Sequence, residues 1–315
     1  MMTRRKIMLG FAALLVAPCH GHAQGAKPRV AASFSEPYLG AFKQGMREQG
    51  YREGDFEYAH FDLSPSTNIE QSIAEMVARK PAVIVVGATP IAKAVLKVTT
   101  TIPVVMLNVS DPVGNKLVQS LARPGGNATG IATMHETVLP KTVEMLHLMV
   151  PSATRVAVLV NPESPSADVF WSSTQAALRT LGKTAIRIDA SSEPQVIEAF
   201  ARMKAERVQG LIVVPDRNFF GSRNRLATLA QEYRLPAVYP VREHVIAGGL
   251  ASYGPSLTGN ARASARFVAA ILKGAKPGEL PVDQARSFEL VVNRKAMQSL
   301  GIKLSTALPV DEVIE

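Results

Sequence analysis

From residue 29 to residue 239 the chain repeats one unit: a short β-rich apolar run that stops at a small polar residue or a proline, followed by an amphipathic stretch with helical spacing. A helix between successive strands returns the chain to the same end of the sheet, so the strands must run parallel with helices on both faces. Residues 103–109, PVVMLNV, form a nearly continuous apolar run without strict alternation, the pattern of a strand buried on both sides.

The first series reads as a strand at 29–33, a helix at 38–49 and a strand at 56–61. Leu39, Phe42 and Met46 give that helix one apolar face, and Gly50 is placed to end it. The next helix is expected to be capped by Thr67, with Glu70 completing a capping box. A strand at 82–86 and a helix opened by Pro90 lead into the 103–109 run. That run stops at Ser110-Asp111-Pro112, and a short amphipathic segment at 116–121 follows. Arg123-Pro124-Gly125-Gly126-Asn127 then turns the chain into an extended piece at 128–134.

The alternation restarts with a helix opened by Pro140 and runs through strands at 156–160, 184–188, 211–214 and 237–239. What remains is an extended glycine-bearing piece at 248–254, a helix at 260–272, a strand at 288–292 and a small helix closed by Gly301. These pieces are too short for a core of their own, so they must return to the two domains already built. Two lobes joined by several crossings are implied.

At 315 residues and 47% hydrophobic, the chain has the apolar content for two such cores. Its start has the layout of an export signal: Arg4-Arg5-Lys6, an apolar run at 7–17, and Gly21-His22-Ala23 as a cleavage site. The run of about 11 residues is short for a bilayer span of roughly 20. The only cysteine is Cys19, so the mature chain is expected to hold no disulfide and no thiol ligand. Net charge falls from +9 to +6 without the signal, with no basic stripe, which argues against nucleic acid as a partner.

Ligands of open α/β sheets bind beyond the carboxyl ends of the strands, where helix N-termini offer free N–H groups. The expected site residues are therefore Ser33, Phe34, Tyr38, Thr89, Ser110, Asp111, Asn161, Asp216, Tyr239 and Tyr253. Helix N-termini suit a carboxylate, while Asp111 or Asp216 suits an amine. Each also has an ordinary reading: Thr89 and Ser110 as caps, Asp111 as a turn residue, Asp216-Arg217 as a surface pair, the tyrosines as packing. No serine elbow, zinc-protease or phosphate-loop motif occurs, and no Gly-x-Gly-x-x-Gly follows the first strand. His60, His135, His147 and His244 lie at spacings that make no metal site, so no cofactor or metal is expected. A chain with this architecture and no catalytic signature leans towards binding.

Asp111-Pro112-Val113, Arg123-Pro124-Gly125-Gly126-Asn127, Asn161-Pro162, Ser252-Tyr253-Gly254 and Phe288-Glu289-Leu290-Val291 occur in one order along the chain. In them, and in the stretch at 251–282, the sequence resembles solute-binding proteins of ABC transporters, in the group of tryptophan- and tyrosine-binding proteins. The resemblance implies a type I periplasmic-binding fold: two Rossmann-like lobes with parallel sheets, three hinge crossings and a ligand cleft between the lobes. It places residues 24–131 and 251–282 in the first lobe, and 132–250 and 283–315 in the second. It also implies a periplasmic, non-enzymatic protein, cleaved near Ala23, that captures a polar or amino-acid-like solute, aromatic amino acids included. Its partners would be an ABC permease and that permease's ATPase. A ligand sensor for a membrane kinase, or a secreted enzyme on the same fold, are the alternatives.

Overall fold

The computed structural model describes residues 27–34, 36–63, 67–285, 288–303 and 308–315, so the expected export signal lies outside the described residues. The first series runs β1 (Arg29–Ala32), α1 (Tyr38–Glu48), β2 (Glu57–His60), α2 (Ile69–Ala78), β3 (Val83–Gly87), α3 (Thr89–Val98), β4 (Val104–Val109) and β5 (Ala128–Ala132). The second runs α4 (His135–Met149), β6 (Arg155–Val160), α5 (Ala167–Thr180), β7 (Thr184–Asp189), α6 (Glu193–Ala205), β8 (Gly210–Val213), α7 (Arg217–Gly221), α8 (Arg223–Glu232), β9 (Ala237–Tyr239), α9 (Arg242–Ile246) and β10 (Ala251–Pro255). The chain then returns through α10 (Leu257–Leu272) and β11 (Asp283–Gln284), and ends with β12 (Phe288–Asn293), α11 (Arg294–Leu300) and β13 (Glu312–Ile314).

Among the described residues there are two sheets, ordered β11-β5-β4-β3-β1-β2 and β13-β12-β10-β9-β8-β6-β7. All pairings are parallel except β10 with β12. The expected double coverage of the central strands holds: Val83, Ile84, Val85 and Val86 of β3 are all buried, as are Val104, Val105 and Met106 of β4.

The chain passes between lobes three times: from β5 to α4, from β10 to α10, and from β11 to β12. The expected lobe boundaries need three corrections, the smallest at Ala132, expected in the second lobe but the last residue of β5 in the first sheet. Residues 251–255 were expected in the first lobe, but they form β10, which pairs with β9 and β12 of the second sheet. Asp283 and Gln284, expected in the second lobe, pair with Ile131 and Ala132 of β5 in the first. Neither two- to five-residue strand carries enough pattern to declare its sheet. The return helix α10 belongs to the first lobe, where Ala265, Phe267, Val268 and Ile271 join Phe42 and Met46 of α1 in one core. Gly45 makes that approach possible, because a Cβ there would stand 2.1 Å from the Arg262 carbonyl oxygen.

Caps differ from the sequence reading in two places. Asn68, not Thr67, caps α2, its side chain accepting from the Gln71 N–H at 3.1 Å. The helix expected to open at Pro140 begins at His135, directly after Met134 in the left-handed region. Pro140 therefore lies inside α4, where its missing N–H leaves the Glu136 carbonyl without its helical partner. The Ser173 hydroxyl of α5 donates to that carbonyl at 2.7 Å.

Candidate functional site

The carboxyl ends of β1, β3 and β4 face those of β6, β8 and β9 across a cavity of about 620 Å³, lined from both lobes. Ser33, Phe34, Tyr38, Thr89, Ser110 and Asp216 line it. Asp111, Asn161, Tyr239 and Tyr253 do not, each for a local reason. Asp111 has φ +41° and accepts from the Gly114 N–H at 2.8 Å, so its carboxylate closes a turn. Asn161 sits behind the wall and donates to Asp216 Oδ2 at 3.1 Å. Tyr239 is fully buried and stacks on His244, ring centroids 5.0 Å apart. Tyr253 lies in the middle of β10, stacked against Phe288 at 6.3 Å.

In the first lobe's wall, the Thr89 hydroxyl accepts from the Ser110 N–H at 3.0 Å and ties the start of α3 to the end of β4. No side chain caps α3, and its entry residue Ala88 holds φ +66° and ψ +141°, a conformation that glycine usually supplies. Pro90 contributes no N–H, and Thr89 and Ile91 of the uncapped first turn both lie in the cavity wall. Asn108 has φ +53°, where the register of β4 on β5 shifts, and its Oδ1 accepts from Asn260 Nδ2 of α10 at 2.7 Å.

The second lobe supplies most of the charge, with Asp62 added from the first. Asp216 caps α7, its Oδ1 accepting from the N–H groups of Asn218 at 2.8 Å and Phe219 at 3.3 Å. Burial raises its pKa, and those donors together with Asn161 and Arg217 hold the rise back. Arg217 reaches across the cleft to donate to the Leu63 carbonyl, and burial lowers its pKa against the pull of Asp216 and Asp62. Arg223 donates to the Phe220 carbonyl at 3.0 Å and lies over the Phe220 ring at 5.0 Å. Among the described residues neither arginine has a carboxylate oxygen within 4.0 Å.

Aromatic and apolar groups make up the remaining wall. Phe34 and Tyr38 contribute from the first lobe, Phe170 and Phe220 from the second. His135 and His244 also line it, both held neutral by burial, which pushes each imidazole down to about 4. Sequence reasoning missed Arg223, His135, Phe170 and Phe220. All four lie within helices, past the strand ends on which the expectation rested. Among the described residues no group of three metal-ligating side chains is placed to hold an ion.

Two Rossmann-like lobes closing on an apolar-walled cavity with a few charged groups define a bilobed solute-binding protein of the type I periplasmic-binding fold. Comparison with known proteins agrees. Residues 33–312 match the family model described as ABC transporter substrate binding protein, and the chain belongs to that family. A tyrosine-binding protein of Clostridioides difficile strain R20291 is 26% identical over 272 residues, spanning 84% of this chain and 77% of that one. A crystal structure of a conserved domain protein from Vibrio cholerae is 28% identical with a TM-score of 0.83, covering 91% of this chain and 100% of that one. A Streptococcus pneumoniae ABC domain in complex with L-Trp superposes with a TM-score of 0.80 at 24% identity, covering 91% and 100%.

Proposed function

We propose that the protein is exported to the periplasm, captures an amino-acid-like solute with an apolar or aromatic body, and delivers it to an ABC permease driven by its ATPase. The observation that carries this reading is the presence, in one cavity, of a buried carboxylate, two guanidinium groups without an ion pair among the described residues, and an uncapped helix start. Asp216 suits a ligand ammonium group, whose charge would relieve the burial of that carboxylate. Arg217, Arg223 and the first turn of α3 suit a carboxylate. Phe34, Tyr38, Phe170 and Phe220 suit the body.

A volume of about 620 Å³ falls inside the range of roughly 300–1,000 Å³ typical of small-molecule sites. The tyrosine-binding relative and the neighbour holding L-Trp support an aromatic amino acid as the first candidate. Among the described residues, no serine or threonine hydroxyl of the cavity is hydrogen-bonded to a histidine or a carboxylate, and turnover is not part of the reading. No described helix is long and apolar enough to cross a membrane.

The test is a thermal-shift screen, followed by calorimetry, of the purified protein against the amino acids and a set of small carboxylates. A stabilisation of several degrees by at least one solute is expected. A well-folded protein stabilised by none of them would refute capture of this class.

A further inference from the structure

His135 is the first residue of α4, immediately beyond the first crossing between the lobes. It is only 6% exposed, and the cavity is what its ring faces. Phe170 of α5 meets it edge-on at 6.5 Å between ring centroids. Among the described residues neither ring nitrogen has a hydrogen-bond partner, and burial alone sets the protonation of the ring. Its neighbour in the wall differs: His244 engages the Val241 carbonyl through Nδ1 at 3.3 Å, and its Nε2 is sealed inside the lobe. Unlike His244 Nε2, the ring nitrogens of His135 are not sealed off, and the cavity is where a ligand atom can meet one of them.

The chemistry of that atom follows from the surroundings. An imidazole pushed down to about 4 is uncharged at neutral pH, with one nitrogen donating and the other accepting. Of the charged groups of the cavity, Asp216, Arg217 and Arg223 stand on the turns and helices that follow β8 and Asp62 on the loop after β2, whereas His135 and Phe170 belong to α4 and α5. A neutral polar group on an otherwise apolar ring matches the neutral imidazole and the Phe170 ring at this end.

We propose that the His135 imidazole hydrogen-bonds a ring hydroxyl or ring N–H of the captured solute, and so sets a preference for polar aromatic rings over bare ones. The inference rests on the capture reading above. Calorimetry with two matched pairs tests it: L-tyrosine against L-phenylalanine, and L-tryptophan against 1-methyl-L-tryptophan. In at least one pair the polar ring should bind roughly three- to tenfold tighter, the worth of one neutral hydrogen bond. His135→Leu should bring that ratio to about one, and His135→Gln should restore part of it.

An unchanged ratio in His135→Leu overturns the proposal, as does the absence of any preference in the parent protein. If His135→Leu does not fold, the ¹⁵N shift of the His135 ring on adding the preferred ligand to the parent decides, and a shift that stays put overturns it. Binding of neither pair also overturns it, while capture of another solute class would still be visible in the wider thermal-shift screen.

Discussion

The Tyr38 hydroxyl of α1 donates to Glu243 Oε1 of α9 at 3.0 Å, a direct bond between two residues 205 positions apart and on opposite lobes. Burial raises the pKa of both partners, so the pair stands in a dry setting where the hydrogen bond is strong. Tyr38→Phe removes it, and bound solute should then dissociate roughly three- to tenfold faster. Tyr38 also lines the cavity, whereas Glu243 does not. Glu243→Gln therefore isolates closure from ligand contact, and a smaller acceleration in the same direction is expected. Stopped-flow displacement of the ligand measures both, and an unchanged dissociation rate in Glu243→Gln removes this bond from closure.

Asp216→Asn separates charge from architecture. Asparagine caps helices as well as aspartate does, so α7 should form and the melting temperature of the free protein should move by no more than about 2 °C. Affinity for amine-bearing solutes should fall about 10- to 100-fold, with acids lacking the amine hardly affected. Equal losses for both ligand types would show that the carboxylate does not meet an amine.

Acid should weaken the fold through His135 and His244. Both are neutral when folded, with pKa values pushed down to about 4, against an ordinary value of 6.5. Above pH 6.5 neither changes its protonation on unfolding. Between pH 6.5 and 4 the unfolded chain binds the extra protons, so stability drops as pH falls, by at most about 1.4 kcal/mol per pH unit for each histidine. The buried Asp216 and Glu243, whose pKa values are raised, work in the opposite direction as they take up protons. Urea titrations from pH 7 to pH 4.5 should show a shallower loss in His244→Gln than in the parent.

Ser173 and Pro140 should be energetically coupled. Ser173→Ala strips the Glu136 carbonyl of its donor and should cost about 1 kcal/mol. In a Pro140→Ala background the backbone regains an N–H that reaches that carbonyl, and most of the cost of Ser173→Ala should vanish. Additive effects in denaturant titrations would count against this account of the proline.

Much of the architecture was legible because parallel βα units write themselves in period and polarity. The run at 103–109 became the doubly covered β4, and Phe42 and Met46, though not the half-buried Leu39, forecast the inner face of α1. The short strands were not: β11 has two residues and β13 three, and their sheet membership is set by tertiary pairing rather than by local pattern. The site divides in the same way. Ser33, Thr89, Ser110 and Asp216 reach the cavity wall, where the rule for loops after strands puts them. Tyr239 and Tyr253 fail because a strand's last or middle tyrosine turns into the sheet's packing as readily as out of it. Arg223 and His135 carry no local signal, since an arginine opening a helix and a lone histidine on an amphipathic one look the same wherever they point.

The seam between α1 and α10 bears on how the molecule is made. Residues 38–48 wait for residues 257–272 before the first core can close, and a chain emerging in order has by then released nearly all of the second lobe. Folding one domain at a time from the N-terminus is thus denied to this chain. Until α10 arrives, Phe42 and Met46 lie open to water, and a product truncated before residue 257 would expose that face permanently. Such a topology favours a protein kept extended until it is whole.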